Sequence, residues 1–370
     1  MNQNAYQMFS TLLFAKADGR GIPLSGTFEL TARCNLNCKM CYIHRQANDR
    51  SAMSKERTAG EWLELARQCR EAGTLLLLFT GGEPFLRPDF KEIYSGCKRM
   101  GMLVSINTNA TLIDREMVAF LAADPPARMN ITLYGASRAT YAALCGDGGA
   151  YDRAVEAILA LKEAGILVKL NFSATPYNTH DAEKVYAFAR DNGLPLQAAT
   201  YMFPPVRACE QGCFTADRLT PAQAAQAQLT YDKFRFTPQE LKERWEKQLN
   251  GISVPDPDSE CQELPTQRIR CRAGSSTFWV TYDWQLRPCG MMTVPTTGLE
   301  QGFSTAWETI HAARETIMTP GKCAACPARA ACDQCAALCY GETGDFAGVP
   351  TYLCEKARAY LDLAREAMEN

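Results

Sequence analysis

Along residues 25–205, short apolar runs alternate with stretches whose apolar positions recur every three or four residues. The runs at 27–31, 74–80, 103–107, 130–134, 167–173 and 197–202 predict strands. The amphipathic stretches at 59–72, 88–100, 113–123, 150–164 and 181–192 predict helices. Four of the helical stretches stop at a glycine, Gly73, Gly101, Gly165 or Gly193, the residue that most readily takes the left-handed backbone closing a helix. Alternation of this kind implies a parallel sheet with helices outside it. Six units suit a partial barrel; a doubly wound open sheet has the same periodicity.

The pattern changes beyond residue 208. Thr220 with Gln223, and Thr237 with Glu240, have capping-box spacing with a proline after each threonine, so helices are expected over 221–234 and 238–249. Pro255 and Pro257 then interrupt the chain. From 261 onward loops dominate, with a hairpin expected over 279–287, turning near Asp283 and Trp284, and one amphipathic helix over 352–368. The expected organisation is an N-terminal segment (1–24), an α/β unit (25–208), a helical linker (209–260) and a smaller loop-rich C-terminal domain (261–370).

A chain of 370 residues, 46% of them hydrophobic, can bury a full core. Its net charge of −2, with no long run of one sign, gives no footprint for nucleic acid. No apolar stretch approaches the length of about 18 residues that a membrane-spanning helix needs. The first residues lack a secretory signal's basic start and apolar run. A cytoplasmic location is expected, without nucleic-acid or membrane partners. Cysteine is the outlier, 17 residues against 3 histidines. A reducing compartment disfavours disulfides, and scarce histidine disfavours mixed zinc sites. All-thiolate zinc or iron–sulfur clusters remain.

Cys34, Cys38 and Cys41 follow directly on the first predicted strand with C-x3-C-x2-C spacing. Three thiolates can hold three irons of a four-iron cluster and leave the fourth open to a ligand. Zinc completed by a distant residue such as His44 fits the same spacing. The second predicted strand runs into Gly81, Gly82, Glu83 and Pro84. The glycines permit close approach of a ligand to the backbone, and Glu83 offers a carboxylate to a cationic amine at the C-terminal edge of the sheet.

Together these two motifs resemble the radical SAM superfamily. The resemblance covers about residues 25–205 and implies a partial (β/α)6 barrel. It implies a [4Fe–4S] cluster on Cys34, Cys38 and Cys41, with S-adenosylmethionine (SAM) on the open iron and its amino group at residues 81–84. Tyr42 matches the family's aromatic position beside the last cysteine. Asn109 matches a loop ending the third strand, although Ala110 stands where the family often has glycine. Tyr134 stands where many relatives have aspartate, so no charged role carries over to it. Ser137 and Arg153 are candidates for the SAM ribose or carboxylate, or plain polar residues of a loop and a helix. Asn171 is a candidate to face the cofactor or to cap a loop. The implied chemistry is one-electron cleavage of SAM to methionine and a 5′-deoxyadenosyl radical, which takes hydrogen from a substrate. A flavodoxin or ferredoxin would supply the electron.

Cys271 and Cys289 bracket the expected hairpin; Cys323, Cys326, Cys332, Cys335, Cys339 and Cys354 follow. With Cys261 they make nine cysteines in 94 positions, too many for chance in a segment this poor in apolar elements. Two four-thiolate zinc sites would explain the field on its own. Order and spacing resemble the SPASM domain, which holds two auxiliary [4Fe–4S] clusters and would make three in the chain. Trp284 departs from an expected glycine, and the gap after Cys332 is two residues rather than three. By resemblance, Cys271, Cys289, one of Cys335 or Cys339, and Cys261 serve the first auxiliary cluster. Cys323, Cys326, Cys332 and Cys354 serve the second. Cys69, Cys97 and Cys145 are expected as buried core residues, and Cys209 and Cys213 as free thiols.

Auxiliary clusters suit net oxidation, and comparable SPASM enzymes act mostly on peptides or proteins. The resemblance therefore implies a ribosomally made peptide, modified by a thioether, ether or carbon–carbon link or by side-chain oxidation. A small-molecule substrate or a protein-maturase role is the alternative, and a non-catalytic electron carrier or zinc scaffold the rival class. Sulfatase-maturing relatives carry a basic aspartate after the hairpin's second cysteine, where this chain has Gly290. The segment before the first strand is too short to fold alone, so a leader-peptide-binding partner would be a separate protein. Arg207 is a candidate for a substrate carboxylate, or part of a proline-anchored loop.

Overall fold

A computed structural model describes residues 3–43, 45–204, 207, 217–249, 265–324 and 326–369. Helix α1 (Gln3–Asp18) precedes six strands: β1 (Ser25–Thr31), β2 (Leu76–Gly81), β3 (Leu103–Thr108), β4 (Arg128–Thr132), β5 (Val168–Ser173) and β6 (Leu196–Ala199). They lie parallel and side by side in chain order. Helices α2 (Ala59–Glu71), α3 (Phe90–Arg99), α4 (Arg115–Ala123), α5 (Arg138–Cys145), α6 (Ala150–Glu163) and α7 (Ala182–Asp191) connect them. This is the expected partial (β/α)6 arrangement.

Side chains alternate across each strand, and the alternation separates two environments. Phe28, Leu30, Phe79, Ile106, Ile131 and Leu170 are fully buried in the layer shared with the helices, where the Phe28 ring lies 5.0 Å from that of Trp62. The alternate positions are polar: Thr27, Glu29 and Thr31 on β1, Asn107 on β3, Asn130 on β4, Lys169 and Asn171 on β5. Asn130 Nδ2 donates to Asn107 Oδ1 across the β3–β4 register at 2.9 Å. An apolar concave face would pack shut; this polar one lines a chamber.

The sheet continues past β1. β7 (Thr277–Val280) pairs parallel with β1, Trp279 opposite Thr27, and β8 (Gln285–Arg287) and β9 (Thr297–Gly298) follow antiparallel. The result is one nine-stranded sheet, β9-β8-β7-β1-β2-β3-β4-β5-β6, with the expected hairpin built onto the barrel's own edge. Helices α8 (Pro221–Arg235) and α9 (Pro238–Leu249) start at the two expected capping boxes. They pack on α12 (Thr351–Glu369), where the Tyr360 hydroxyl donates to Asp232 Oδ2 at 2.7 Å and accepts from Trp245 Nε1 at 3.1 Å. Helices α10 (Phe303–Arg314) and α11 (Ala336–Thr343) complete the C-terminal part. Among the described residues, no helix is long and apolar enough to cross a membrane.

Several elements differ from expectation. β4 starts two residues early, and β6 ends at Ala199 instead of 202. The eight-residue α5 is too short to show a period, and a Ser137 cap starts it. Gly73, Gly101, Gly165 and Gly193 all have positive φ, as helix-closing glycines should.

The turn after β2 lies against the chain leaving β1. The Gly82 and Glu83 amides donate to the carbonyl oxygens of Thr31 and Arg33, both at 2.8 Å. A Cβ on Gly82 would fall 2.2 Å from the Arg33 carbonyl oxygen and 2.5 Å from that of Ala32, with no flexible side chain to yield. Gly101, by contrast, has open space around it and only its φ of 80° to resist a side chain. Gly82→Ala should therefore destabilise the protein by at least about 2 kcal/mol more than Gly101→Ala in urea unfolding, since overpacking against backbone cannot relax. Equal midpoints for the two variants would contradict this packing.

Candidate active site

Arg33 anchors the chain leaving β1. Its Nε and Nη2 donate to the two Glu56 oxygens at 2.8 and 3.0 Å, and its Nη1 to the Ala47 carbonyl at 2.7 Å. The next residues carry Cys34, Cys38 and Cys41. The Asn37 and Lys39 amides donate to the carbonyl oxygens of Cys145 and Leu144 at the end of α5, both at 3.0 Å. These two bonds flank Cys38 and seat Cys145 against it, so the Cys145 thiol and the Tyr134 hydroxyl both hydrogen-bond its sulfur. Cys145 was expected as an isolated core residue. It is buried, but it is also a neighbour of the cysteine loop; sequence separation hid the contact.

Two of the loop's thiols, Cys34 and Cys38, are held protonated. Burial, then the nearby Glu83 carboxylate, pushes Cys34 up; the Cys145 hydrogen bond, then burial, pushes Cys38 up. The three sulfurs are close enough for Cys38 and Cys41 to act on Cys34. The Leu36 amide and Asn109 Nδ2 approach the Cys34 sulfur at 3.4 and 3.6 Å. A soft all-sulfur donor set ringed by N–H groups fits an iron–sulfur cluster, whose binding must release the thiol protons. His44 lies outside the described residues.

Glu83 is completely buried. Its Oε1 accepts from the Phe85 amide at 3.1 Å and the Thr108 hydroxyl at 2.8 Å, and its Oε2 accepts from the Asn109 amide at 2.8 Å. Burial nevertheless raises its pKa to about 7, and no cation pairs with it among the described residues. A buried carboxyl short of positive charge fits a cationic amine. The expected close approach of Gly81 and Gly82 to a ligand is instead an approach to protein backbone, the carbonyl groups of residues 31–33. Pro84 is buried and starts the short helical turn that follows. Asn109 joins the two motifs, with Nδ2 donating to Asn35 Oδ1 at 3.0 Å beside Cys34.

The other candidates separate. Tyr42 packs with Tyr282 of the hairpin turn and lies under the Arg207 guanidinium, 5.0 Å from its ring. Asn171 stands on the concave side of β5, opposite Thr132 and Gln197. Ser137 caps α5 through the Thr140 amide at 3.1 Å and shares Thr140 and Asp181 as partners, a structural assignment. Arg153, in the first turn of α6, is exposed and pairs with Asp147 at 2.5 Å. Arg207 does not stand ready for a free carboxylate. It forms a two-pronged ion pair with Glu29, which is 0% exposed, and Glu29 also accepts from Trp279 Nε1 at 2.6 Å.

The C-terminal thiols fall into two groups. Cys335 interacts electrostatically with Cys289 and Cys271, and burial lifts it to about 11. Cys323, lifted to about 12 by burial, has Cys339, Cys354, Cys332 and Cys326 around it. Cys339 therefore sits with the second group, buried on α11 and accepting from Gln334 Nε2 at 3.0 Å. Cys261, Cys209 and Cys213 lie outside the described residues. Among the described residues, no three His, Cys, Asp or Glu side chains close on a point as they would around a single metal ion.

These environments order the thiols by reactivity. Among the described thiols of metal-free protein, exposed Cys271 should be alkylated first and the buried Cys38, Cys69, Cys97, Cys145 and Cys339 last. Peptide mass spectrometry over a time course reads the order; labelling of Cys38 ahead of Cys271 would contradict the buried loop.

Residues 28–189 match the model of the Radical SAM superfamily. An AdoMet-dependent heme synthase of Methanosarcina barkeri is 28% identical over 339 residues, covering 86% of this chain and 93% of that protein. Streptococcus suis SuiB bound to its precursor peptide SuiA has a similar structure, with a TM-score of 0.63 at 18% identity over 96% of this chain and 82% of SuiB. So does anSMEcpe with bound AdoMet and Cp18Cys peptide, with a TM-score of 0.66 at 17% identity over 94% of this chain and 98% of that one.

Proposed function

Since this chain belongs to the radical SAM superfamily through residues 28–189, we propose that it oxidises a substrate held in the polar chamber between its two ends of thiol chemistry. The observation that carries this reading is the continuous sheet. It sets the Cys34–Cys38–Cys41 loop, at the end of β1, beside the hairpin that leads into Cys289. A cluster on Cys34, Cys38 and Cys41 would supply the electron that cleaves SAM into methionine and a 5′-deoxyadenosyl radical able to take hydrogen from the substrate.

The chain's own residues then have distinct tasks. Gly81, Gly82, Glu83 and Pro84 form the turn for the SAM amino group, with the Glu83 carboxylate gaining the cation it lacks. Asn109 links that turn to the cysteine loop, and Asn171 and Tyr42 line the chamber. Tyr134 and Cys145 hydrogen-bond the Cys38 sulfur. In the C-terminal part we assign a SPASM-type domain with two auxiliary clusters. Cys271, Cys289 and Cys335 serve one, with Cys261 as a fourth ligand. Cys323, Cys326, Cys332 and Cys354 serve the other, with Cys339 beside them. The neighbours of Cys335 and Cys339 support this division. The auxiliary clusters would carry away the substrate's second electron, and a flavodoxin or ferredoxin would deliver the first.

We take a ribosomally made peptide as the substrate, because SuiB and anSMEcpe share the fold across nearly the whole chain and hold peptides in their structures. A second reading has its own support: the heme synthase similarity spans 86% of the chain, favouring an iron-porphyrin precursor. Anaerobic assays of reconstituted protein with SAM and a strong reductant test the common chemistry. 5′-Deoxyadenosine should form, should disappear in Cys34→Ala, and should accompany about 12 irons per chain. No 5′-deoxyadenosine with either substrate class would sink the enzyme reading. Stimulation by iron coproporphyrin III and not by peptides would select the second reading. Glu83→Gln should weaken SAM binding at least tenfold, about 1.4 kcal/mol, by equilibrium dialysis; unchanged affinity would remove Glu83 from the SAM site.

A further inference from the structure

We propose that Arg287 receives a carboxylate group of the substrate inside the chamber. Arg287 stands on β8 directly opposite Trp279 of β7, so both side chains lie on the concave side of the sheet, where Trp279 meets Glu29. Its Nε and Nη1 are shut off from solvent and have no hydrogen-bond partner among the described residues; the same holds for Nε of Arg207. Of the eight buried side-chain polar atoms without a partner among the described residues, three are thus guanidinium nitrogens in this one neighbourhood, whereas folded proteins satisfy most such groups.

The local charges leave room for an anion. Arg207, Asp283, Glu29 and Tyr282 are the ionisable groups acting on Arg287. Glu29 is spent on Arg207 and Trp279, and Asp283 Oδ1 accepts from the Thr281 hydroxyl at 2.6 Å in the hairpin turn. Burial, then repulsion from Arg207, lowers the Arg287 pKa against the opposing pull of Asp283, Glu29 and Tyr282. A carboxylate fits the planar fork of N–H donors far better than a neutral amide does. The position also suits a substrate. Arg207 lies over the Tyr42 ring, next to Cys41, while Cys289 follows Arg287 by two residues, so a group bound here lies between the two thiol sites. The inference rests on the chamber being the substrate site and adds what it selects: a molecule presenting a carboxylate there, whether an acidic peptide side chain or a porphyrin propionate.

The test uses cluster-reconstituted full-length protein and propanoate as the probe, with propanamide as the neutral control. Propanoate should raise the thermal midpoint of the wild type by several degrees more than propanamide at equal concentration and ionic strength. Arg287→Met should lose that difference, Arg287→Lys should keep part of it, and Arg287→Met without ligand should melt at or above the wild-type temperature, since an unsatisfied buried charge has gone. A fall of several degrees in ligand-free Arg287→Met would make Arg287 a structural residue and overturn the proposal, as would equal response of the wild type to both probes. SAM binding by equilibrium dialysis separates the two sources of carboxylate: a tenfold loss in Arg287→Met would assign the guanidinium to the methionine carboxylate of SAM and overturn the substrate assignment. Failure of the wild type to produce 5′-deoxyadenosine is a different result, which strikes the enzyme reading and not the anion site.

Discussion

A single buried carboxylate governs how the chamber is assembled. Glu29 has no exposed surface, and a carboxylate in that position is tolerable only if paired and hydrogen-bonded. Its partners come from two distant stretches of chain, Arg207 beyond β6 and Trp279 on the hairpin. Removing Arg207 would strip the charge of its ion pair and removing Trp279 would cost it a donor, so β1, the post-barrel segment and the C-terminal hairpin are tied into one arrangement. Arg207 in turn covers Tyr42, which fixes the far end of the cysteine loop against the same cluster of side chains.

Around that lock, the protein carries groups that its own fold leaves poorly satisfied. Among the described residues, Glu83 is buried without a cation, several thiols are held protonated by burial, and two Arg287 nitrogens have no acceptor. Each is out of place in a sealed hydrophobic core, and each faces the sheet's C-terminal edge or its concave side. Local discomfort of this kind is the mark of a surface shaped for something other than folding. The outer layer is held mainly by apolar contact, the Phe28 ring lying 5.0 Å from that of Trp62 and 6.3 Å from that of Phe79, although Trp62 Nε1 is also buried without a partner among the described residues.

Much of this was legible beforehand, because it is written locally. Strand runs, helix-closing glycines and the two capping boxes depend on neighbours in sequence; the glycines and capping boxes fell where expected and the strands within a few residues of it. The hairpin even betrayed a departure: Trp284, standing where glycine is usual, has a φ of 67°, so the turn needs the left-handed conformation, and the indole stays because it packs on Trp62 with ring centroids 5.1 Å apart. What could not be read was tertiary. Glu29 and Arg287 belong to no motif that spacing reveals, and Cys145 has the look of a core thiol, because the side chains that matter to them, Arg207 for Glu29 and Arg287 and Cys38 for Cys145, lie far away in sequence.

The parallel pairing of β7 with β1 also has a kinetic meaning. Glu29 and Trp279 are 250 residues apart, so the strand that covers β1's flank leaves the ribosome long after the barrel's six strands have done so. Until then β1 presents an unpaired row of backbone donors and acceptors, and an enclosed carboxylate lacks half of its partners. An open edge of that kind templates pairing with other chains. The nascent barrel therefore passes through a window of self-association that closes only when the C-terminal hairpin arrives, so the hairpin acts as the barrel's edge guard as well as a wall of its chamber.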